Sequence, residues 1–397
     1  MLKFALRNMA VKKIQIILII FSVVISAGTG VLAYNTSSQV SDGITGNAAY
    51  YSCIIGPSGS KTQLAMNTMY FTDEPLGVIP YSLVSQLSGD TRVRSVVPFA
   101  MADNFNGYSV IGTTSAFLSG RELGSGEMFD DSGTMQAVLG YTVAKTCGIS
   151  VGDTIYTGHA VGQTHAQGLT VTGILEQSHT VYDNQVFTQL KTIWDLHESE
   201  EDEEAEDEDH LELNGMVCAI LVKTMNPSYG AAIVNEYDTH VYTAPDGESY
   251  AITAIEPMAT VRGVLEDTDN TKYIVFVLCA VILIMNIIII SIITLLNMYH
   301  SAAEISLMRL IGISMKKING VYLIQNGIIG LVSCVLAFVL SKVCLLFMGS
   351  YVASMGVVLN QWKVYPAEFA ILAAVFAISI IPTVLCTRSL SRRDSLS

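Results

Sequence analysis

Charge is scarce along this chain. Only 14% of its 397 residues are Asp, Glu, Lys or Arg while 51% are hydrophobic, a balance too apolar for an ordinary soluble enzyme. The scarcity is complete in four stretches, 14–34, 273–298, 321–340 and 369–386, which hold no charged residue. Cysteine is sparse as well. Cys53, Cys147 and Cys218 fall in one long polar segment, and Cys279, Cys334, Cys344 and Cys386 fall in or beside the apolar stretches, where thiols act as small apolar groups. No disulfide framework and no zinc-type cysteine spacing is present. A phosphate loop is missing too. Gly56-Pro57-Ser58-Gly59-Ser60-Lys61-Thr62 begins like one, but the pattern needs glycine immediately before the lysine and Ser60 stands there. That segment reads as a turn, and the chain carries no ATPase of its own. No nucleophile, base and orienting group come together in the sequence, and His159, His165, His179 and His240 read as surface or packing residues. The chain is expected to be non-catalytic, without a cofactor and without a nucleic-acid partner.

Each charge-free stretch is long enough to cross a bilayer, where about 20 apolar residues suffice. Inside lipid every backbone amide needs a local partner, so helices are expected. Pro382 removes one backbone donor and is expected to kink the last span. Lys3, Arg7, Lys12 and Lys13 precede the first span, Arg309, Lys316 and Lys317 lie between the second and third, and Arg388, Arg392 and Arg393 follow the fourth. Positive charge stays on the cytoplasmic side. This predicts four spans with both termini inside, in a bacterial cell (inner) membrane. A cleaved signal peptide ending near Val31-Leu32-Ala33 is a rival for the first span, but signal cores run about 7–15 residues and the apolar run here is longer. Leu2, Ala5, Leu6 and Met9 share a helical stripe that suits an amphipathic lead-in at the inner membrane surface.

The resulting plan is a cytoplasmic lead-in over 1–13, a first transmembrane helix over 14–34, and an external domain over 35–256. A stalk and second transmembrane helix follow over 257–298, then a cytoplasmic coupling helix over 299–320. A third span covers 321–341, an external loop 342–366, a fourth span 367–387 and a cytoplasmic tail 388–397. The external domain is expected to be mixed α/β, in two lobes. Strands are predicted over 136–140, 169–175 and 218–224, the last two with the period-two alternation of half-buried strands. A short helix over 141–147 stops at Gly148, and a turn at Val151-Gly152-Asp153 leads to another strand. Asn226 as cap and Pro227 in the first turn open a helix running to about His240. Pro257 opens another, with Met258, Val261 and Leu265 on one face, continuing without a breaker into the second span.

Net charge is −14, yet eleven carboxylates and no Lys or Arg lie within 198–212, so the rest of the chain is near balance. Self-repelling charge cannot pack, and the segment reads as a solvated, disordered insertion. Two other readings are loose binding of calcium or similar cations by the carboxylates and a transition-metal role for the flanking His197 and His210. The charge-free stretches hold sparse polar groups, among them Asn286, Ser291, Thr294, Asn297, Gln325 and Asn326, and no Asp, Glu, Lys, Arg or His at mid-membrane. Ion channels and proton-coupled carriers place ionisable groups at mid-membrane; amides alone suit helix-to-helix hydrogen bonding.

The segment 303–318 reads Ala-Glu-Ile-Ser-Leu-Met-Arg-Leu-Ile-Gly-Ile-Ser-Met-Lys-Lys-Ile and is the structured piece on the inner side. Leu307, Leu310 and Ile311 share a helical face. Glu304 and Arg309 offer polar contacts, Gly312 ends the helix, Ser314 caps the next turn, and Lys316 and Lys317 add charge. An amphipathic loop lying on lipid is the bland alternative.

One span, a large external domain and three further spans resemble the FtsX-like, MacB-type (type VII) permeases of ABC transporters. The run from Glu304 to Ser314, followed by Lys316-Lys317-Ile318, is similar to that family's Glu-Ile-Gly-Ile-Leu-Arg-Ala-Leu-Gly-Ala-Ser stretch. Gly120-Arg121-Glu122-Leu123, Ala137-Val138-Leu139-Gly140, Val151-Gly152-Asp153 and Val171-Thr172-Gly173-Ile174-Leu175 resemble its external domain, and 56–64, 67–80 and 220–227 resemble a LolE/MacB-like subgroup. The family often has basic residues just before the Glu, where this chain has Ser301, Ala302 and Ala303. The resemblance implies a homodimer or close heterodimer bound to a separate ABC ATPase subunit that carries ATP and Mg. It implies mechanotransmission to the external domain, for export or extraction of a peptide, lipid or lipoprotein, with membrane lipid and an extracytoplasmic protein as further partners. It makes Glu304, Leu307, Arg309, Leu310, Ile311, Gly312, Lys316 and Lys317 the coupling residues. The alternatives are a signal relay that activates an external partner such as a cell-wall hydrolase without transport, and a motor-less sensor or adhesion protein.

Overall fold

A computed structural model describes residues 2–158, 164–198, 214–263, 310–353 and 359–393, with scattered helical positions between 277 and 292. The chain divides into two compact units, one built on 40–267 and one from 1–39, 268–350 and 359–397.

The first unit is a mixed α/β domain. Among the described residues its larger sheet has eleven strands: Thr154–Ile155 pairs with Leu169–Leu175 off the main path, and Val241–Thr243, Ser249–Ile255, Cys53–Pro57 and Ala219–Thr224 lie on one side of Val93–Phe105. On the other side lie Tyr108–Thr113, Val186–Gln189, Gln136–Leu139, Leu169–Leu175 and Leu123–Gly126. We label β1 as Cys53–Pro57, β2 as Val93–Phe105, β3 as Tyr108–Thr113 and β4 as Ala219–Thr224. The 13-residue β2 pairs with β4 through its first half and with β3 through its second. The expected two lobes are therefore two halves of one sheet, joined by a strand too long for either half alone. The core is correspondingly continuous, from Ile54 and Ile55 through Phe99, Val110 and Ile111 to Val138, Val171 and Phe187.

Several local expectations are met by the backbone. Tyr141–Cys147 is helical, and Gly148 stops it at φ 68°, a left-handed conformation that favours glycine. Leu169–Leu175 alternates in burial. Pro227–Tyr237 is capped by Asn226, whose side chain accepts from the Ser228 amide, and it ends before the expected His240. The 257–263 stretch is helical, with Val261 buried and Met258 packed on the core; Leu265 and the continuation toward the second span lie outside the described residues. β4 differs from expectation. It is buried on both faces, because it lies between β1 and β2 at the centre of its half-sheet. The 56–62 turn does join a strand to a helix, but Ser60 caps that helix, Lys61–Tyr70, and Lys61 Nζ is paired with Asp238 at 2.6 Å.

The second unit is helical. Leu2–Val11 precedes Lys13–Ala48, followed later by Met315–Ala353 and Pro366–Arg393. We call the last three αA, αB and αC. αA and αB are each long and apolar enough to cross a membrane, and the first part of αC is a shorter apolar helix. Ile16, Ile19, Val23, Ala27 and Val31 form a stripe at helical spacing on αA, packed with Ile329 and Ala337 of αB and Leu372 and Val375 of αC. αB continues to Ala353, well past the expected start of a loop at 342, since no proline interrupts it and Lys342 finds a partner within the unit. In the lead-in helix Ala5 is buried, whereas Leu2 and Leu6 are exposed.

Candidate functional site

Asp103 lies in the second half of β2, where the ladder to β3 shifts register between Met101 and Asp103. Such a bulge re-aims a side chain. Here it accompanies a fully buried carboxylate, and two histidines reach it from separate segments. His165 Nε2 stands 3.1 Å from Asp103 Oδ2, and His197 Nε2 stands 3.2 Å from Asp103 Oδ1. The Thr157 hydroxyl donates to Oδ2 at 3.2 Å. The two imidazole rings are 5.5 Å apart between centroids, and one donor atom from each of the three residues falls within 4.8 Å of the others.

Each partner is held by local structure. The backbone amide of His165 donates to the Thr157 carbonyl, and Asn104 and Gly158 exchange backbone hydrogen bonds beside Asp103. His197 is the penultimate residue of the helix Leu190–Glu198, whose buried Leu190, Ile193 and Leu196 face the sheet. Gly112 of β3 sets that seat. A Cβ there would lie 2.4 Å from Ile193 Cγ1, so the helix settles onto bare backbone. Trp194 adds a hydrogen bond from its indole to the Met216 carbonyl at 2.9 Å.

Burial alone would push the Asp103 carboxyl up, but its hydrogen bonds with His165 and His197 more than offset this and hold it below the ordinary carboxylate range. An ionised carboxylate with two imidazole nitrogens aimed at it is an arrangement that can bind a cation or link three chain segments by hydrogen bonds. Among the expected metal candidates, His197 is thus brought to Asp103 and His165, and His210 lies outside the described residues. The reading of His165 as an ordinary surface or packing residue is corrected, since it is buried against a carboxylate. Asp103 and His165 escaped sequence reading because they are 62 residues apart and belong to no short motif. The one available sign was a carboxylate directly after the apolar run Val96–Ala102.

A second buried polar group occupies one end of the helical unit. Glu368, fully buried near the start of αC, pairs with Lys342 Nζ of αB at 3.0 Å. Asn35 of αA donates to the same carboxylate, and Glu368 also accepts from the Tyr365 amide at 3.0 Å. Gln39 donates to Asn35 and exchanges hydrogen bonds with the Asn360 backbone at 2.7 and 3.0 Å. These charges flank the apolar spans, where hydropathy alone assigns no role.

Of the residues expected to couple to an ATPase, Glu304, Leu307 and Arg309 lie outside the described residues. Leu310 and Ile311 are strongly exposed, Gly312 has φ 87°, and αB starts at Met315, so a helix end at Gly312 and a new start after Ser314 fit the backbone. Lys316 and Lys317 fall in the first turn of αB, with Lys317 exposed.

Comparison with known families matches residues 14–237 to the MacB-like periplasmic core domain and residues 274–393 to the FtsX-like permease C-terminal domain. No curated protein matches the chain. Among solved structures, the periplasmic region of MacB from Actinobacillus actinomycetemcomitans is similar at 11% identity and TM-score 0.35, covering 54% of this chain and 92% of that one. The extracellular domain of the noncanonic ABC-type transporter YknZ from Gram-positive bacteria is similar at 14% identity and TM-score 0.33, covering 51% of this chain and 98% of that one.

Proposed function

This chain belongs to the FtsX-like, MacB-type family of ABC transporter permeases, a family of membrane proteins that work with an ABC ATPase, and from that premise we propose that it is the mechanotransmitting membrane subunit of such a transporter. A separate ATPase binds and hydrolyses ATP with Mg. The segment 303–318 transmits the resulting movement to the external domain, which extracts or expels a peptide, lipid or lipoprotein at the outer face. The chain crosses the membrane four times, with both termini in the cytoplasm, and acts as a homodimer. One observation carries the reading: the core-domain and permease-domain matches occur in tandem and together occupy nearly the whole chain. The exposed Leu310 and Ile311 support the contact role, since apolar side chains outside a core are available to fill a groove on a motor. So does the composition of the spans, which offer no ionisable pathway at mid-membrane.

The test is co-purification of the full chain with its ABC ATPase. Glu304→Lys combined with Arg309→Glu is expected to lower recovery of the ATPase at least tenfold while leaving the permease in the membrane. Undiminished recovery would exclude this segment as the coupling surface.

A further inference from the structure

We propose that Asp103, His165 and His197 form a binding site for a divalent first-row transition-metal ion, of which zinc is the best fit, in the external domain. The donor set is two imidazole nitrogens and one carboxylate, which suits borderline ions and not calcium or magnesium, both of which favour oxygen ligands throughout. The spacing fits as well. Metal-to-ligand bonds of about 2.1 Å in a tetrahedral zinc site put donor atoms about 3.4 Å apart. The two histidine nitrogens stand 3.1 and 3.2 Å from different oxygens of the Asp103 carboxylate, and one donor atom from each of the three residues lies within 4.8 Å of the others, so small rotations of the two imidazoles bring the donors around one ion.

Position strengthens the case. Asp103 is buried on a central strand of the sheet, and the Thr157 hydroxyl donates to one of its oxygens. Second-row support of this kind orients metal ligands. His197 keeps 14% of its side chain exposed and marks the way in. Eleven carboxylates follow His197 within 198–212 of the sequence. Tethered negative charge raises the local concentration of cations irrespective of its conformation. Three protein ligands leave a tetrahedral ion one further position, open to water or to a donor atom from a partner. The ion would fasten β2, the loop carrying His165 and the end of the Leu190–Glu198 helix to one point.

The experiment uses the full chain in detergent micelles, stripped with a chelator and titrated with zinc in competition with a chromophoric chelator, then loaded with cobalt for visible spectroscopy. Wild type is expected to bind zinc at one high-affinity site per chain and to give the d–d bands of a low-coordinate cobalt site. His165→Ala and His197→Ala should each weaken zinc binding at least tenfold and abolish those bands. Asp103→Asn, which keeps shape while removing charge, should weaken binding similarly. Circular dichroism of each stripped variant controls for folding, and His197→Ala, at the partly exposed position, keeps the test informative should the buried variants unfold. Failure of wild type to bind zinc would leave a purely hydrogen-bonded trio and overturn the proposal. Equal binding by His197→Ala would overturn it too, as would binding lost only when the carboxylates of 198–212 are neutralised.

Discussion

Cys53 and Cys218 illustrate how far a single buried residue departs from its behaviour in water. Both are free thiols, and burial pushes Cys53 up to about 12 and Cys218 up to about 11. With an ordinary thiol near 9, the thiolate fraction near neutral pH falls by about three and two orders of magnitude. The sign follows directly: the neutral thiol is favoured in the folded state, so the stabilisation holds below the ordinary thiol pKa and fades as pH climbs toward the raised values. Maleimide treatment of the native chain at pH 8, followed by peptide mass mapping, should modify the half-buried Cys147 and spare Cys53 and Cys218 until denaturant is added. Modification of Cys53 at the Cys147 rate would refute this account of its environment. At this scale the sequence was informative about thiols as small apolar groups and uninformative about Asp103 and His165. The alternating burial of Leu169–Leu175 is legible from its own residues; the partner of a buried charge is set by long-range topology.

Elements were most legible where a local signal and the tertiary environment agreed. Gly148 and the Asn226-Pro227 pair fix helix ends through backbone geometry and capping, which need nothing from distant residues. The burial of β4 on both faces was not legible, because its flanking strands are distant in sequence. The extent of αB was hidden for a related reason: Lys342 looks like the end of a span until Glu368 neutralises it. Glycine spacing on αB supplies a test of its packing. A Cβ at Gly330 would meet Ser379 Oγ at 2.5 Å and Phe376 at 3.2 Å on αC, whereas one at Gly327 meets nothing within 4 Å. Close approach of this sort is what small residues permit between membrane helices. Gly330→Leu is therefore expected to destabilise the helical unit by about 2 kcal/mol through overpacking, and Gly327→Leu to be neutral or mildly stabilising through helix propensity. Thermal unfolding midpoints of the detergent-solubilised variants decide this; equal midpoints would mean that αB and αC do not meet at Gly330.

For the molecule as a whole, family membership was legible from the motifs, since the external-domain signatures lie within 14–237, matched to the MacB-like periplasmic core domain, and the 303–318 segment lies within 274–393, matched to the FtsX-like permease C-terminal domain. The acidic stretch 198–212 lies inside the residues matched to the core domain. Deleting it should leave ATP hydrolysis by the partner ATPase coupled to the permease, as measured by ATPase stimulation in proteoliposomes; loss of stimulation would give the stretch a role in coupling. The buried group around Glu368 bears on how such a chain is made. Asn35 and Gln39 emerge from the ribosome first, Lys342 more than 300 residues later, and Glu368 later still. At roughly 5–20 residues per second, Lys342 waits on the order of seconds for its counter-charge. The last of these helices to be synthesised thus carries the carboxylate on which Lys342, Asn35 and the Tyr365 amide converge, so this buried polar group is completed only after αA and αB have been made, and a chain truncated before Glu368 leaves Lys342 without that counter-charge.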